Sequence, residues 1–210
     1  SRGLGDVYKR QTSNRKGFSE KEMEYPGGSW HAASAENEKK DFRQVTKQIV
    51  FGDELDGWKR SSELEGKKWK LLMGRVASFG RRYKVYAGST PTSYEESEIW
   101  PLYLSGDQRR YMVNCPHCGK SQFLEWGGPD TKQGIKFEKD EDGNLLEGSV
   151  YYSCINPDCD EPILNHHKVW MFNPENGAHW QATAVPKVIH RKPYHISSLY
   201  APIAAITWEQ

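Results

Sequence analysis

The residues whose type and spacing most directly suggest chemistry are four cysteines, Cys115, Cys118, Cys154 and Cys159. They fall into a C-x-x-C pair and a C-x-x-x-x-C pair, one near each end of a stretch rich in strand-forming residues. Zinc takes four tetrahedral ligands, with thiolate sulfur at about 2.3 Å. One short Cys turn supplies two of them because the backbone curls around the ion, and a second turn brought alongside by a hairpin completes the set. Gly119 follows the first pair, where a tight turn needs a residue tolerant of positive φ. Asn156-Pro157-Asp158 gives the second pair its turn chemistry. The spacing therefore points to a structural Zn2+ held by four thiolates. Disulfides are the competing reading and fit poorly with a chain that shows no secretion signal. His117, His166 and His167 are alternative ligands, better read as solvated or supporting groups. Four thiolates leave the metal no open position for water, which disfavours hydrolysis at the ion.

A second constellation lies in KQIVFGDELDGW (Lys47 to Trp58). The apolar run Ile49-Val50-Phe51 reads as a short strand buried on both faces and ends at Asp53-Glu54. An acidic pair at the carboxyl end of such a strand is the Walker B arrangement of P-loop ATPases. There the Asp helps hold Mg2+, and a following Glu polarises the attacking water. GDELDGWK (Gly52 to Lys59) superficially resembles a phosphate-binding loop. Trp58 interrupts the Gly-Lys pair, however, and Asp53, Glu54 and Asp56 turn the wrong sign of charge toward a phosphate. No genuine Walker A motif occurs in the chain.

The elements that must position these groups follow from periodicity. Tyr25 to Ala35, YPGGSWHAASA, reads as a Pro-Gly-Gly turn leading into a strand. The charged stretch AENEKKDFRQ after it reads as helix or loop. Ser62 to Phe79 places Leu71, Leu72, Val76 and Phe79 at helical spacing, and Arg81 to Thr92 gives a strand ending at Gly88-Ser89-Thr90-Pro91. Strand, acidic loop, helix, strand is the grammar of a parallel α/β sheet. After residue 108 the texture changes to strand, Cys turn, strand, then a hairpin around Asp142-Gly143-Asn144 and the second Cys turn. The 210 residues carry a net charge of +1, and no apolar run approaches the ~20 residues that span a bilayer. Charge therefore marks neither a DNA-coating protein nor an acidic tail. Lys67, Lys68, Arg81 and Arg82 read as solvated faces, and Arg75 is given no role.

Taken in order, YPGGSWHAASA, DFRQVTKQIVFGDELDGW, LEGKKWKLLMGRVASFGRRYKVYAGSTPT, the CPHCG-x-x-Q-x-L-x-W run from Cys115 to Trp126, and HISSLYAP (His195 to Pro202) resemble the large terminase subunit of tailed phages, in its GpA-type branch. The resemblance runs over nearly all of residues 20 to 205. It implies that Asp53 is the Mg2+-associated acid, Glu54 the catalytic carboxylate, and Ser89-Thr90-Pro91 the ATPase coupling motif. A small polar loop of that kind senses the γ-phosphate and relays its loss to DNA-gripping parts. Two departures stand out. Gly52 replaces an apolar residue, which is expected to loosen the strand end, and the second cysteine pair is spaced by four residues rather than two.

The expected architecture is therefore α/β: the C-terminal part of a P-loop ATPase parallel sheet, followed by a small β-rich, zinc-ribbon-like insert. Residues 1–11 read as a sequencing scar, 12–108 as the ATPase part, 109–190 as the four-cysteine insert, and 191–210 as the start of a nuclease region. The resemblance implies a fragment of a DNA-packaging motor that uses Mg2+ with ATP and carries an endonuclease farther on. Its implied partners are double-stranded DNA, a small terminase subunit and the portal or procapsid, in a homo-oligomeric ring in the host cytoplasm and with no membrane. Without a Walker A lysine or nuclease carboxylates, the fragment alone is expected to be inactive. The alternative is a zinc-ribbon adaptor for nucleic acid or protein, with no catalysis. Such an adaptor would need none of the PGG, DE and STPT segments.

Overall fold

The computed structural model describes residues 22–33, 46–58, 68–128 and 130–209. The charged stretch after Ala35, the first residues of the expected 62–79 helix, and residues 1–11 lie outside them. The chain divides into two compact units, one up to Ile99 and one from Trp100.

In the first unit, Pro26-Gly27 joins two short strands, β1 (Glu22–Tyr25) and β2 (Gly28–His31), into an antiparallel hairpin. Gly27 sits at φ +92, where a side chain would be strained. The turn expected to lead into a strand thus has a strand on both sides. The functional core of the unit is a β-α-β arrangement. β3 (Ile49–Gly52) and β4 (Lys84–Ala87) pair in parallel, Ile49 opposite Lys84 and Gly52 opposite Ala87. Helix α1 (Lys68–Val76) runs between them in sequence. Leu72 and Val76, four residues apart and on one face, are its buried positions. A short 3-10 segment continues to Arg82, broken at Gly80.

One expectation for β3 needs correcting. The strand forms, but it is not buried on both faces: Phe51 is 77% and Ile49 53% exposed. β3 and β4 make a two-stranded sheet, and a parallel sheet hides both faces only when a layer covers each. The Phe51 ring instead stacks on Tyr86 across the pair, with centroids 4.9 Å apart. Gly52 also departs from expectation. It is buried and its carbonyl accepts the Gly88 amide at 2.9 Å, so the strand end is held rather than loosened. A Cβ there would meet the Trp58 ring at 3.2 Å. The glycine is what lets that indole lie on the backbone.

Helix α2 (Ile99–Leu104) begins at the last residue of the first unit. In the second unit β5 (Arg109–Asn114) is the organising strand. It pairs antiparallel with β6 (Ser121–Phe123) and with β9 (His179–Gln181), and in parallel with β10 (Tyr194–His195). A separate hairpin joins β7 (Gly134–Lys136) to β8 (Tyr151–Ser153), as the sequence suggested. Its tip is closed by Asp140, whose carboxylate accepts the amides of Asp142 and Asn144. The core gathers Val113, Leu124, Tyr152, Ile163, Met171 and Leu199 around Cys115, Cys154 and Cys159. Residues from the expected nuclease lead-in, Leu199, Tyr200 and Trp208, belong to that same core.

Two buried polar groups stitch the core together. Lys168, 1% exposed at the start of helix α3 (Lys168–Met171), donates to the carbonyls of Ala201 and Ile206 at 3.3 and 3.4 Å. Its ammonium also lies 4.8 Å from the Trp208 ring centroid, an attraction between cation and ring face. Burial pulls its pKa below the usual lysine value. Tyr152, fully buried, accepts the Glu125 amide and the Gln133 side-chain amide, both at 3.1 Å.

Candidate functional site

Two groups of chemically competent side chains stand out, one in each unit. In the first unit they lie at the carboxyl ends of the parallel strands, the edge where open α/β sheets bind ligands. β3 ends at Gly52 and delivers Asp53 and Glu54. β4 ends at Ala87 and delivers Gly88 through Pro91. Register makes these neighbours, and two bonds join them: the Gly88 amide donates to Gly52 O at 2.9 Å, and the Leu55 amide to Gly88 O at 3.2 Å.

The acidic loop is locally rigid. The Asp53 carboxylate accepts the Glu54 amide at 3.0 Å, and the Asp53 carbonyl accepts the Trp58 indole N–H at 2.8 Å. Leu55–Gly57 form one 3-10 turn, with Gly57 N donating to Glu54 O at 2.8 Å. Glu54 itself sits in the left-handed region at φ 49, ψ 48. That conformation costs a non-glycine residue about 1–2 kcal/mol and persists only where the surroundings hold it, as they commonly do at functional sites. Both carboxylates are exposed, so a cation and a water can reach them.

The Ser89-Thr90-Pro91 loop is tied to the acidic loop through a residue that the sequence offered only as an unwelcome negative charge, Asp56. The Asp56 amide donates to Ser89 Oγ at 2.9 Å. Its carboxylate accepts the amides of Thr92 at 3.0 Å and of Glu98 and Ile99 at 2.8 Å each. Burial pushes the Asp56 pKa up, but bonds from Ser97, Ile99, Thr92 and Glu98 outweigh it and hold the carboxyl below its ordinary value. The only sequence signal for Asp56 was a third acid two places after Glu54.

In the second unit the four cysteine sulfurs lie within 4.8 Å of one another. Cys115 and Cys159 are 3.9 Å apart, Cys118 and Cys154 3.7 Å. A tetrahedron with metal–sulfur bonds of about 2.3 Å has an edge of about 3.8 Å, so the four residues fit a tetrahedral thiophilic ion such as Zn2+. The first turn is closed by Gly119 N donating to Cys115 O and by Cys115 N donating to Lys120 O, both at 2.9 Å. Gly119 takes φ +72, as its position demanded. In the second turn Cys159 N donates to Asn156 O, and the Asn156 amide points at Cys154 Sγ at 3.4 Å. Buried Gln122 links the turns by accepting the Ile155 amide at 2.9 Å, a contact no spacing rule anticipates.

The thiols are electrostatically uneven. Burial and neighbouring thiols push Cys154 up to about 12 and Cys159 to about 11. Burial acts in the same direction on Cys118, yet the Lys120 amide, Asn156 and the thiols of Cys115 and Cys159 bring it down to about 6. Among the described residues no histidine joins the sulfur group. His117 instead contacts Pro162 O at 3.2 Å and meets His167 edge-on, while His167 Nδ1 accepts the Leu164 amide at 2.9 Å.

Comparison with known proteins adds a third line of observation. The family model described as phage terminase large subunit gpA, ATPase domain, matches residues 2–180. The chain is 31% identical over 122 residues to the terminase large subunit of Enterobacteria phage P21, and 30% identical over 122 residues to that of Escherichia phage lambda. Each alignment covers 57% of this chain and 18% of the relative, so the chain spans about a fifth of the length of these curated relatives. No solved structure matches.

Proposed function

From the premise that the chain belongs to the gpA ATPase-domain family of phage terminase large subunits, we propose that it is a portion of a DNA-packaging motor in which ATP hydrolysis drives duplex DNA into a procapsid. The observation that carries the reading is the adjacency of Asp53-Glu54 and Ser89-Thr90-Pro91 at the carboxyl ends of two neighbouring parallel strands. ATP would supply the phosphoryl group, and an Mg2+ bound with it would neutralise its charge. Asp53 associates with the cation, and Glu54 orients and polarises the attacking water. Ser89-Thr90-Pro91 couples the nucleotide state to the rest of the motor. The phosphate-binding loop and an endonuclease belong to other parts of the longer protein, and this portion alone is inactive in both reactions.

In this reading residues 12–108 form the ATPase part. Residues 109–190 form a ribbon-like insert whose Cys115, Cys118, Cys154 and Cys159 hold one structural Zn2+, and residues 191–210 lead toward the nuclease. The insert braces the fold, since four thiolates leave the ion no open position. Duplex DNA, a small terminase subunit and the portal are the partners, the working form is a homo-oligomeric ring, and it acts at the procapsid in the host cytoplasm. Among the described residues no helix is long and apolar enough to cross a membrane. An adaptor without catalysis is not favoured, because it leaves the acidic loop and its bonded partner loop without a purpose.

The test is Glu54→Gln in the full-length protein. It should abolish ATP turnover and leave nucleotide binding intact. Hydrolysis at the wild-type rate removes Glu54 from its role.

A further inference from the structure

Among the described residues of the first unit, Asp56 is a heavily bonded side chain, and the roles of Asp53, Glu54 and the Ser89 loop leave it unused. Its carboxylate takes donors from four residues, Thr92, Ser97, Glu98 and Ile99. Oδ1 accepts the Glu98 and Ile99 amides, both at 2.8 Å. Oδ2 accepts the Thr92 amide at 3.0 Å and lies 3.5 Å from the Thr92 hydroxyl. Its own amide donates to Ser89 Oγ. A carboxylate so occupied has no lone pair to spare for a cation or a water, so it does no chemistry on substrate. Bonds between an ionised acceptor and backbone amides are about twice as strong as neutral ones and fix geometry. What Asp56 does is join the acidic loop to two stretches 33 to 43 residues farther on: the Ser89–Thr92 loop and the chain at 98–99 where α2 begins.

The mechanical consequence follows from the 3-10 turn. Asp56 is its middle residue, and Glu54 is bonded into its start through Gly57 N. A displacement of Ser89 or Thr92 therefore pulls on Asp56, and through a rigid turn on the backbone of Glu54, already at φ 49. We propose that Asp56 is a positioning residue that makes the acidic loop and the Ser89–Thr92 loop move as one body, so that the orientation of Glu54 follows the state of Ser89-Thr90-Pro91. This inference rests on the ATPase reading given above. It adds that the coupling loop acts on the water-polarising carboxylate through a third acid rather than by direct contact.

Asp56→Asn and Asp56→Ala separate the two halves of the connection. Asn keeps one carbonyl oxygen for the 98–99 amides but turns an NH2 toward the Thr92 N–H, so two donors meet. Ala removes both halves. In the full-length protein kcat should fall about 100-fold in Asp56→Asn, the scale of an ~1 Å misplacement, with KM for ATP within about 2-fold of wild type. Amide hydrogen exchange should speed up at Thr92 alone in Asp56→Asn, and at Thr92, Glu98 and Ile99 in Asp56→Ala. Ser89→Ala, which removes a single bond between the two loops together with the local bond from Ser89 Oγ to the Thr90 carbonyl, should lower kcat in the same direction by a smaller factor, and it serves if the Asp56 variants do not fold. Unchanged kcat in a folded Asp56→Asn or in Ser89→Ala overturns the proposal, as does unchanged exchange at Thr92. A wild-type protein that fails to hydrolyse ATP sinks the ATPase reading instead, and the exchange data then decide by themselves whether Asp56 joins the loops.

Discussion

The Tyr200 hydroxyl donates to the Tyr111 carbonyl at 2.7 Å and accepts the Leu124 amide at 2.6 Å. One oxygen thus bridges β5 and the residue after β6, on a ring that is itself buried. Burial drives the Tyr200 pKa well above the usual tyrosine value, so the group is a neutral donor at all working pH. Tyr200→Phe keeps the ring, strands the buried Leu124 N–H and takes a donor from the part-buried Tyr111 carbonyl. The expected loss is about 1–3 kcal/mol for an unsatisfied buried polar group, measured by chemical denaturation of the protein containing this chain. A change near zero shows that water or a shift of the strands replaces both bonds.

The sulfur cluster predicts about one zinc per chain by elemental analysis. Cys154→Ser should release the metal and unfold the second unit, because Cys154 belongs to the core and is one of the four proposed ligands. Binding free energy at such a site is folding free energy. A strong chelator should therefore lower the melting temperature of the wild type and leave that of Cys154→Ser where it is. A folded wild-type protein free of metal overturns the site.

Glu54 holds a left-handed conformation that glycine adopts without strain. Glu54→Gly should lose ATP turnover in the full-length protein and yet gain about 1 kcal/mol of stability. Loss of stability together with activity indicates that the carboxylate, and not the backbone, is what the loop accommodates.

Gly52→Val tests the packing of Trp58 over the strand end. A Cβ at Gly52 already meets the indole at 3.2 Å, and two further methyls cannot fit beneath it. The ring should leave, breaking its bond to the Asp53 carbonyl, at a cost of about 1–3 kcal/mol. The indole N–H resonance of Trp58 reports it directly, and an unshifted resonance refutes the contact.

The Asp56 connection carries a pH signature. The folded pKa lies below the ordinary 3.8, so the unfolded chain binds the proton more readily in acid. The stability contributed by its bonds is complete above the unfolded value, about 3.9, and is lost as pH falls through the depressed folded value. Acid unfolding of the wild type and of Asp56→Ala should therefore begin to converge below about pH 4 and meet below the depressed folded value. A gap that persists into stronger acid means that Asp56 acts through packing and not through its charge.

The parts of the site that were legible in the sequence are those set by local rules. Cysteine spacing foretold the two turns, because a turn around an ion is a local object, and Gly119 at φ +72 follows from the same geometry. The β3-α1-β4 order was readable from periodicity alone. Burial of β3 was not, since an apolar run says what a strand could hide and not which layers cover it. Asp56, Gln122 and Tyr200 were missed for one common reason. Each acts on backbone amides or carbonyls 33 to 89 residues away, and a donor or acceptor on the main chain leaves no trace in residue types.

β5 bonds to β6 within ten residues of its own end, but its other partners come from residues 179–181 and 194–195. During synthesis the first cysteine pair and β6 are thus in place long before β9 and β10 exist. For that interval β5 presents bare N–H and C=O groups and the unit holds free thiols. Strand edges left open in this way recruit other chains. Any shortened form of this region that stops before His195 keeps the nascent hazard permanently, and aggregation is its expected fate. β10 is in this sense the piece that ends the vulnerable period of β5.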